Sequence, residues 1–309
     1  MGIQGNRSIM EKEFIEMIQR NMAMSSMSLL FEEKPDVPSD EEIIKKLKEK
    51  GYNKTSVWTS DDLSLRTFYL LDRVADFKDA KNVPFQLAII TPDSPKTNTQ
   101  MDELVLSQFW NTPNGKELLD SCQWQIFLRD MMGSAHQPKI RAQILSDWLE
   151  IALEMFPSCK AVWFDSSQNI LTAKDARNNP YKDSNRIFYG AVNARFVNVG
   201  ETDGEMLVDT LGLQVYGIPD IQVHFRKLNP DDAVKLAYNL AIYQFENDMP
   251  INDGETVDGF DEKGKPITDV SLRWKCQYEI SLLEPKREVL DINAGIFAAG
   301  NRLESTEKK

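Results

Sequence analysis

The stretch "VDGFDEKGKPIT" (residues 257–268) comes close to a nucleotide-binding motif. Gly259, Gly264 and Lys265 have the spacing of the phosphate loop G-x-x-x-x-G-K. Pro266, however, stands where that loop needs a Ser or Thr to hold magnesium. The residues that follow read as a strand, so no helix N-terminus would face a phosphate. We therefore predict the tip of a hairpin at this position and no nucleotide site.

An acidic segment overlaps this stretch, because residues 246–262 contain seven carboxylates and no Lys or Arg. The order of the acids does not match an EF-hand loop and no helix pair flanks them, so a calcium site is not expected. One interpretation is a solvated loop, and the alternative is a surface that faces a basic protein partner. The residues of this partner-facing acidic loop are Asp248, Asp253, Glu255, Asp258, Asp261 and Glu262.

The histidines and cysteines form no pattern that is typical of catalysis or zinc binding. His136 and His224 are 88 positions apart, and no H-x-x-x-H or C-x-x-C spacing occurs. We expect His224 to be structural and His136 to be solvated at the start of a helix. Three cysteines, an odd number, are predicted to be buried thiols of a reducing cytosol. They are Cys122, Cys159 and Cys276.

Other catalytic signatures are also absent from the sequence. There is no G-x-S-x-G nucleophile elbow and no G-x-G-x-x-G dinucleotide turn. With 48 acidic residues, no catalytic carboxylate pair can be singled out. We therefore predict no catalytic, cofactor-binding or metal-binding residue and no cofactor.

The predicted elements alternate between strands and helices. Residues 136–157 predict a helix with Ile140, Ile144, Trp148 and Met155 near one buried stripe. Ser39 and Asn229 are predicted to cap two further helices. This mixture, with short connections, indicates an α+β fold with mixed, largely antiparallel sheets and packed helices. Two related α/β sub-domains are one form that such a fold can take.

The predicted organisation has four parts. Residues 1–26 form a lead-in and a helix, 27–175 an N-terminal α+β half, 176–295 a C-terminal α+β half, and 296–309 a frayed tail. The loop "DARNNPYKDSN" (175–185) marks the boundary between the halves. One continuous domain is the alternative.

The composition of the 309 residues limits the classes of partner and the cellular compartment that we expect. A formal net charge of −12 repels phosphate backbones, so we expect no nucleic-acid partner. No apolar run approaches the roughly 20 residues that span a bilayer, so we expect no membrane association. The N-terminus "MGIQGNRSIM" lacks the hydrophobic core of a secretion signal. We therefore expect a cytoplasmic protein.

The C-terminal half carries a pattern that resembles a known family. It consists of a strand "RIFYGAVNARFV", then "GEMLVDTLGLQVYGIPDIQVHF", the helix "PDDAVKLAYNLAIYQFEND", and "PINDGETVDG". Thr210, Gly212, Gly217 and Asp220 fall in its glycine-containing segment. This order resembles the bacterial family called domain of unknown function 4261, most strongly over residues 130–292.

The resemblance implies a cytosolic bacterial α+β protein and brings no established catalytic residue. Asp220 and Gln222 stand where Glu is usual in the family, which argues against an essential acid there. Gly212 and Gly217 can serve tight packing or unusual dihedral angles.

Two functions from different classes fit these observations. The first is a non-enzymatic protein-binding module, for example an immunity-type or regulatory protein with a basic partner. It is motivated by the net negative charge and the acidic segment. The alternative is an enzyme with a dispersed active site, because such sites leave no local signature in a sequence.

Overall fold

The computed structural model describes residues 16, 24–97, 101–199 and 204–300. It contains helices and two largely antiparallel sheets, which confirms the predicted α+β fold. The chain divides into two compact units.

The N-terminal unit comprises the described residues between 24 and 193 together with Val215–Gly217, and the C-terminal unit comprises the remaining described residues from 194 to 300. Of the helix predicted within residues 1–26, only Glu16 and residues 24–26 are described. The last part of the predicted tail, residues 301–309, also lies outside the described residues.

The sheet of the N-terminal unit has seven described strands in the order β2-β3-β4-β5-β1-β6-β7. All neighbouring strands in it are antiparallel. Strand β1, "SMSLLF", is buried at all six positions because β5 and β6 flank it and both of its faces are covered. The strands are β1 (Ser26–Phe31), β2 (Thr55–Thr59), β3 (Leu65–Ala75), β4 (Val83–Ile90), β5 (Trp124–Met131), β6 (Ala161–Phe164) and β7 (Asn169–Thr172).

Five helices lie in the described part of this unit. The first begins at the predicted cap, where the Ser39 hydroxyl accepts the Glu42 N–H at 3.3 Å and the Glu42 carboxylate accepts the Ser39 N–H at 2.9 Å. The longest, α4, buries Ile144 and Trp148 as predicted, whereas Ile140 in its first turn is 41% exposed and Met155 in its last turn is half-buried. The helices are α1 (Asp40–Glu49), α2 (Glu103–Ser107), α3 (Gly115–Ser121), α4 (Pro138–Met155) and α5 (Ala173–Arg177).

The strand predicted for "RIFYGAVNARFV" is wrong for its first half. A 3-10 helix spans Asp183–Phe188, and the strand begins only at Asn193. Gly190 interrupts the extended backbone with a φ of 111°. A Cβ atom there would lie 2.5 Å from the ring of Phe164, so the close approach requires glycine. We call residues 183–190 the strap.

The sheet of the C-terminal unit has six described strands in the order β11-β12-β13-β10-β9-β8. Strands β10 and β13 run parallel, whereas β9 with β10, β11 with β12 and β12 with β13 are antiparallel. The strands are β8 (Asn193–Asn198), β9 (Glu205–Leu211), β10 (Asp220–Arg226), β11 (Thr256–Val257), β12 (Trp274–Ile280) and β13 (Glu288–Asn293).

One long helix, α6 (Pro230–Glu246), packs on β9 and β10. It begins at the predicted cap, because the Asn229 side chain accepts the Asp231 N–H at 2.8 Å. After β13 the chain returns to β10, where the Ala299 N–H donates to the His224 carbonyl at 3.1 Å. Ala299 belongs to the segment 296–309 that the sequence analysis assigned to the tail, and this hydrogen bond holds it to the sheet.

Candidate functional site

The near-match to a phosphate loop is a hairpin tip, as predicted. Phe260 and Pro266 form an antiparallel bridge, and the Asp261 N–H donates to the Lys265 carbonyl at 2.9 Å. Gly264 lies at the turn with a φ of 72°, a conformation that favours glycine. Because the backbone closes on itself, its N–H groups are used within the turn and do not form an anion cradle.

The acidic residues singled out in the sequence are placed on one side of the C-terminal unit, between the end of α6 and β12. Asp261 is half-buried and the other five side chains are exposed. The six are Asp248, Asp253, Glu255, Asp258, Asp261 and Glu262.

Four of these carboxylates also shape the local backbone or pair with a base. Asp253 accepts the Tyr278 N–H at 2.8 Å, which ties the loop to β12. Glu255 accepts the Asn252 N–H at 2.7 Å. Each of these bonds uses a single carboxylate oxygen.

The other two of the four are Asp258 and Asp261. The Arg273 guanidinium pairs with Asp258 at 2.8 Å. Asp261 accepts the backbone N–H groups of Lys265 and Lys263, and these hydrogen bonds hold its pKa below the usual value for aspartate. Four of the six carboxylates of the acidic segment are therefore held by contacts within the C-terminal unit.

An open groove of about 730 Å³ runs beside this loop. One wall carries Glu255 and Asp258, of which Asp258 is paired with the lining Arg273. The other wall is apolar, because α6 presents the ring of Tyr243, which is 48% exposed. Its principal lining side chains are Leu240, Tyr243, Pro250, Glu255, Asp258 and Arg273. We call it the acidic groove.

No metal site accompanies the groove or any other part of the described residues. Among them, no group of three or more His, Cys, Asp or Glu side chains is arranged to hold a metal ion. The three cysteines are unpaired and buried. Burial raises the pKa of the Cys159 thiol and of the Cys276 thiol to about 12 each.

The histidines have different environments from each other. His224 is buried in β10, with its Nε2 atom 2.8 Å from a carboxylate oxygen of Glu205, in agreement with a structural role. His136 was expected to be solvated, and the structure shows that this expectation is wrong. It is half-buried against the ring of Phe85, at 5.0 Å between centroids, and burial lowers its pKa.

A cluster of charges lies on α4 in the N-terminal unit. The guanidinium of Arg186, in the strap, pairs with both Asp147 and Glu150. The Tyr52 hydroxyl donates to Asp147 at 2.7 Å, and Lys50 pairs with Glu150 at 2.6 Å. Burial, and then the charge of Asp147, raise the pKa of Tyr52 well above its usual value. Asp147 is thus held by several donors at once.

A second, fully buried cluster lies in the C-terminal sheet. Arg287 donates to Asp220 at 2.9 Å and to Asp209 at 2.6 Å. Arg195 adds a further pair with Asp209 at 2.6 Å. Each of these side chains is at most 3% exposed. Because these four side chains are almost completely buried among the described residues, their charges satisfy one another within the sheet.

The glycine-containing segment of the sequence is organised around the same cluster. Asp220 accepts the Thr210 hydroxyl at 3.0 Å and the Leu213 N–H at 3.1 Å, and the Thr210 oxygen accepts the Ile221 N–H at 2.9 Å. Gly212 has a φ of 127°, the unusual dihedral angle that the sequence suggested. The polar residues of this segment therefore fix a turn between β9 and β10.

The fold and these sites define an α+β protein with an acidic groove and a buried ionic core. Residues 209–293 match the family described as Domain of unknown function (DUF4261), which confirms the resemblance for that segment of the chain. No curated protein and no solved structure matches the chain. Of the helices within the described residues, none combines the length and the apolarity that a membrane crossing requires.

The sequence did not reveal the apolar half of the groove or the α4 cluster. Tyr243 could have been noticed in the sequence, because it is an aromatic residue that lies outside the inward-facing stripe of its helix. Arg186 and Asp147 carried none, because they are 39 positions apart and meet only when the strap folds onto α4.

Proposed function

We propose that the protein is a non-enzymatic protein-binding module that takes a basic segment of a partner protein in its acidic groove. One observation carries this proposal. Glu255 and Asp258, two of the acids picked out in the sequence, line the same groove as the exposed ring of Tyr243. A carboxylate rim beside an apolar wall complements a segment that combines Lys or Arg with an apolar side chain.

The physical roles of the two walls differ. Carboxylates at a rim steer a cationic partner and raise its association rate, and salt weakens this effect. An exposed tyrosine ring at the centre of a contact supplies buried area at low conformational cost, and such residues contribute much of the binding energy. The net charge of −12 adds a favourable long-range field for a basic partner.

A shallow groove also suits a protein segment better than a small substrate. A peptide places successive side chains along a surface, whereas a small molecule needs a concave site that removes most of its surface from water. The groove is open along the loop between Pro250 and Asp258. An immunity-type or regulatory protein is the kind of binder that this surface fits.

We further propose a cytoplasmic location in a bacterium. Support comes from the three buried, unpaired cysteines, which are typical of a reducing compartment. The family resemblance supports a bacterial source.

The direct test uses a labelled peptide with lysines around a central leucine, and a matched peptide with glutamates in place of the lysines. Binding is measured by fluorescence anisotropy at low and at high salt. The groove variant combines Tyr243→Ser with Glu255→Gln. The control variant combines Tyr69→Ser, on the sheet of the other unit, with Asp76→Asn, so that it removes the same chemical groups elsewhere.

We expect the lysine peptide to bind at low salt, the glutamate peptide to fail, and the groove variant to lose at least about tenfold in affinity, because an aromatic anchor and a rim charge together contribute more than about 1.4 kcal/mol. The control should stay within about twofold of the unaltered protein. Equal loss in the groove and control variants, or no binding at low salt, would contradict the proposal.

A further inference from the structure

The N-terminal unit contains a cavity of about 660 Å³ that none of the proposals above uses. It lies between α4, α5 and the strap, and we call it the α4 cavity. Its volume is in the range of about 300–1,000 Å³ that small-molecule sites occupy.

The floor of the α4 cavity is apolar and rigid. The lining side chains Met27, Leu153, Phe164 and Tyr216 are each at most 5% exposed. Met27 and Phe164 come from the paired strands β1 and β6, so their positions are fixed by the sheet. A ligand that reaches this floor must bring an apolar or aromatic body.

The mouth of the cavity is charged, and most of its carboxylates already have a cation. Glu150 pairs with Lys50 at 2.6 Å, and Glu154 pairs with Lys46 at 2.9 Å. As described above, Arg186 neutralises Asp147. These pairs leave little negative charge to attract a cationic ligand.

Two lining cations lack a carboxylate partner within the described residues. The Lys182 side chain is exposed at the start of the strap. Arg177, at the end of α5, donates to the carbonyl groups of Leu153 and Phe156 and so keeps its full positive charge. Asp183 is a lining carboxylate that has no ion pair among the described residues, and its negative charge opposes the two positive charges. The lining as a whole holds four cations and four carboxylates, but among the charges outside the ion pairs the two cations outnumber the single carboxylate.

A smaller cavity of about 410 Å³ shares Lys50, Gln143, Asp147 and Asp183 with the first one. The shared side chains separate two adjoining spaces along α4. The second space adds Arg73, whose guanidinium lies 5.3 Å from the ring centroid of Tyr52. Arg73 also lies 3.8 Å from a carboxylate oxygen of Asp72, so the second space adds an ion pair and no unpaired charge.

We propose that the α4 cavity binds a small amphiphilic anion. An apolar or aromatic body rests on the floor formed by β1 and β6, and an anionic head group meets Lys182 and Arg177 at the mouth. The strap, held to α4 by Arg186, forms one wall of the site. This site is independent of the acidic groove, because every residue that lines it belongs to the N-terminal unit.

The test compares two fluorescent probes with the same aromatic body. Anilinonaphthalene sulfonate carries an anionic head group, and N-phenylnaphthylamine does not. Each is titrated into the full chain, and near-UV circular dichroism checks that every variant is folded. Lys182→Glu reverses the charge at the mouth. Lys174→Glu makes the same change on the exposed side of α5, outside the lining, and is its matched control.

A third variant, Ala176→Trp, fills the cavity from α5 without changing a charge. If it does not fold, the exposed Lys182→Glu substitution still decides the head-group assignment. Tyr243→Ser identifies any probe that binds in the acidic groove.

We expect saturable binding of the sulfonate at one site. Lys182→Glu should weaken it by at least about fivefold, the effect of one screened charge contact, and Lys174→Glu should change it less than twofold. Ala176→Trp should abolish binding of both probes. Absence of saturable binding, unchanged affinity in Ala176→Trp, loss in Tyr243→Ser, or equal effects of the two Lys→Glu changes would each overturn the proposal.

Discussion

Each unit of the molecule holds one arginine between two carboxylates, and the two arginines differ in their access to water. Arg287 in the C-terminal sheet is 0% exposed, as are both of its partners. Arg186 in the strap is 16% exposed, and its partner Glu150 is 44% exposed. The same residue types therefore form a sealed core in one unit and the edge of a cavity in the other.

The degree of burial therefore determines whether a charge cluster can contact a ligand and how much it contributes to stability. A sealed cluster cannot meet a ligand, and its removal leaves unpaired charges in a low-dielectric interior. An open cluster is partly solvated, so each ion pair contributes less to stability and its members can reorganise around a ligand. Four measurements test this contrast, and the variant expected to lose the most stability comes first.

Arg287→Met should destabilise the protein most. It removes the cation between Asp209 and Asp220 and leaves buried carboxylates without it, which costs about 3–5 kcal/mol. Urea unfolding measures the loss. The matched control is Arg226→Met, which removes a 46% exposed arginine that lies 3.4 Å from Glu205, and it should cost less than about 1 kcal/mol. Similar losses in both variants would refute the contrast between sealed and exposed charges.

Arg186→Met should have an intermediate effect. The Asp147 side chain is 8% exposed and keeps its bond from Tyr52, while Glu150 keeps Lys50. We expect a loss of about 1.5–3 kcal/mol in the free energy of unfolding, the range for a hydrogen bond to a charged group. A loss as large as that of Arg287→Met would show that the two clusters are equivalent.

Tyr52→Phe should cost about 1 kcal/mol at neutral pH, because the bond to Asp147 is lost. Burial and the Asp147 charge raise the pKa of Tyr52 in the folded state. The unfolded phenol ionises near pH 10, so the stability that this tyrosine contributes is fully present below about pH 10 and declines as the pH rises further. The difference between the two proteins should therefore narrow between pH 9 and about pH 11. A constant difference across that range would contradict this pH dependence.

Cysteine alkylation measures the smallest of these effects, the local opening of each unit. Each unit has a buried thiol whose pKa is raised to about 12, so the thiol reacts only when its surroundings open. Two single-cysteine proteins retain either Cys159 or Cys276, and iodoacetamide labelling is followed at pH 8 in low urea. Arg287→Met should accelerate labelling of Cys276 more than of Cys159, and Arg186→Met should do the reverse. Equal acceleration at both thiols in each variant would mean that the clusters do not stabilise their own units.

The sequence predicted the features that depend on neighbouring residues. The caps at Ser39 and Asn229 are local patterns, and both occur in the structure. The hairpin at Gly264 was predicted because Pro266 and the following strand pattern exclude a phosphate loop. The acidic loop could also be located from the sequence, because its carboxylates are close together in the chain.

The features that depend on distant residues were missed. Arg287 and Asp209 are 78 positions apart, and nothing in either neighbourhood indicates the other. The sequence predicts a strand where the strap lies, because Ile187, Phe188 and Tyr189 have high strand propensity. Tertiary contacts prevailed there, because Arg186 binds α4 and Gly190 turns the chain.

The parallel pairing of β10 with β13 has a consequence for synthesis of the chain on the ribosome. Strand β13 lies between β10 and β12 although it is the last of the strands to be translated. The C-terminal unit therefore emerges with the centre of its sheet unfilled, and Arg287 reaches its buried aspartates only when that strand arrives. Until then, the exposed edge of β10 must be kept from pairing with other nascent chains.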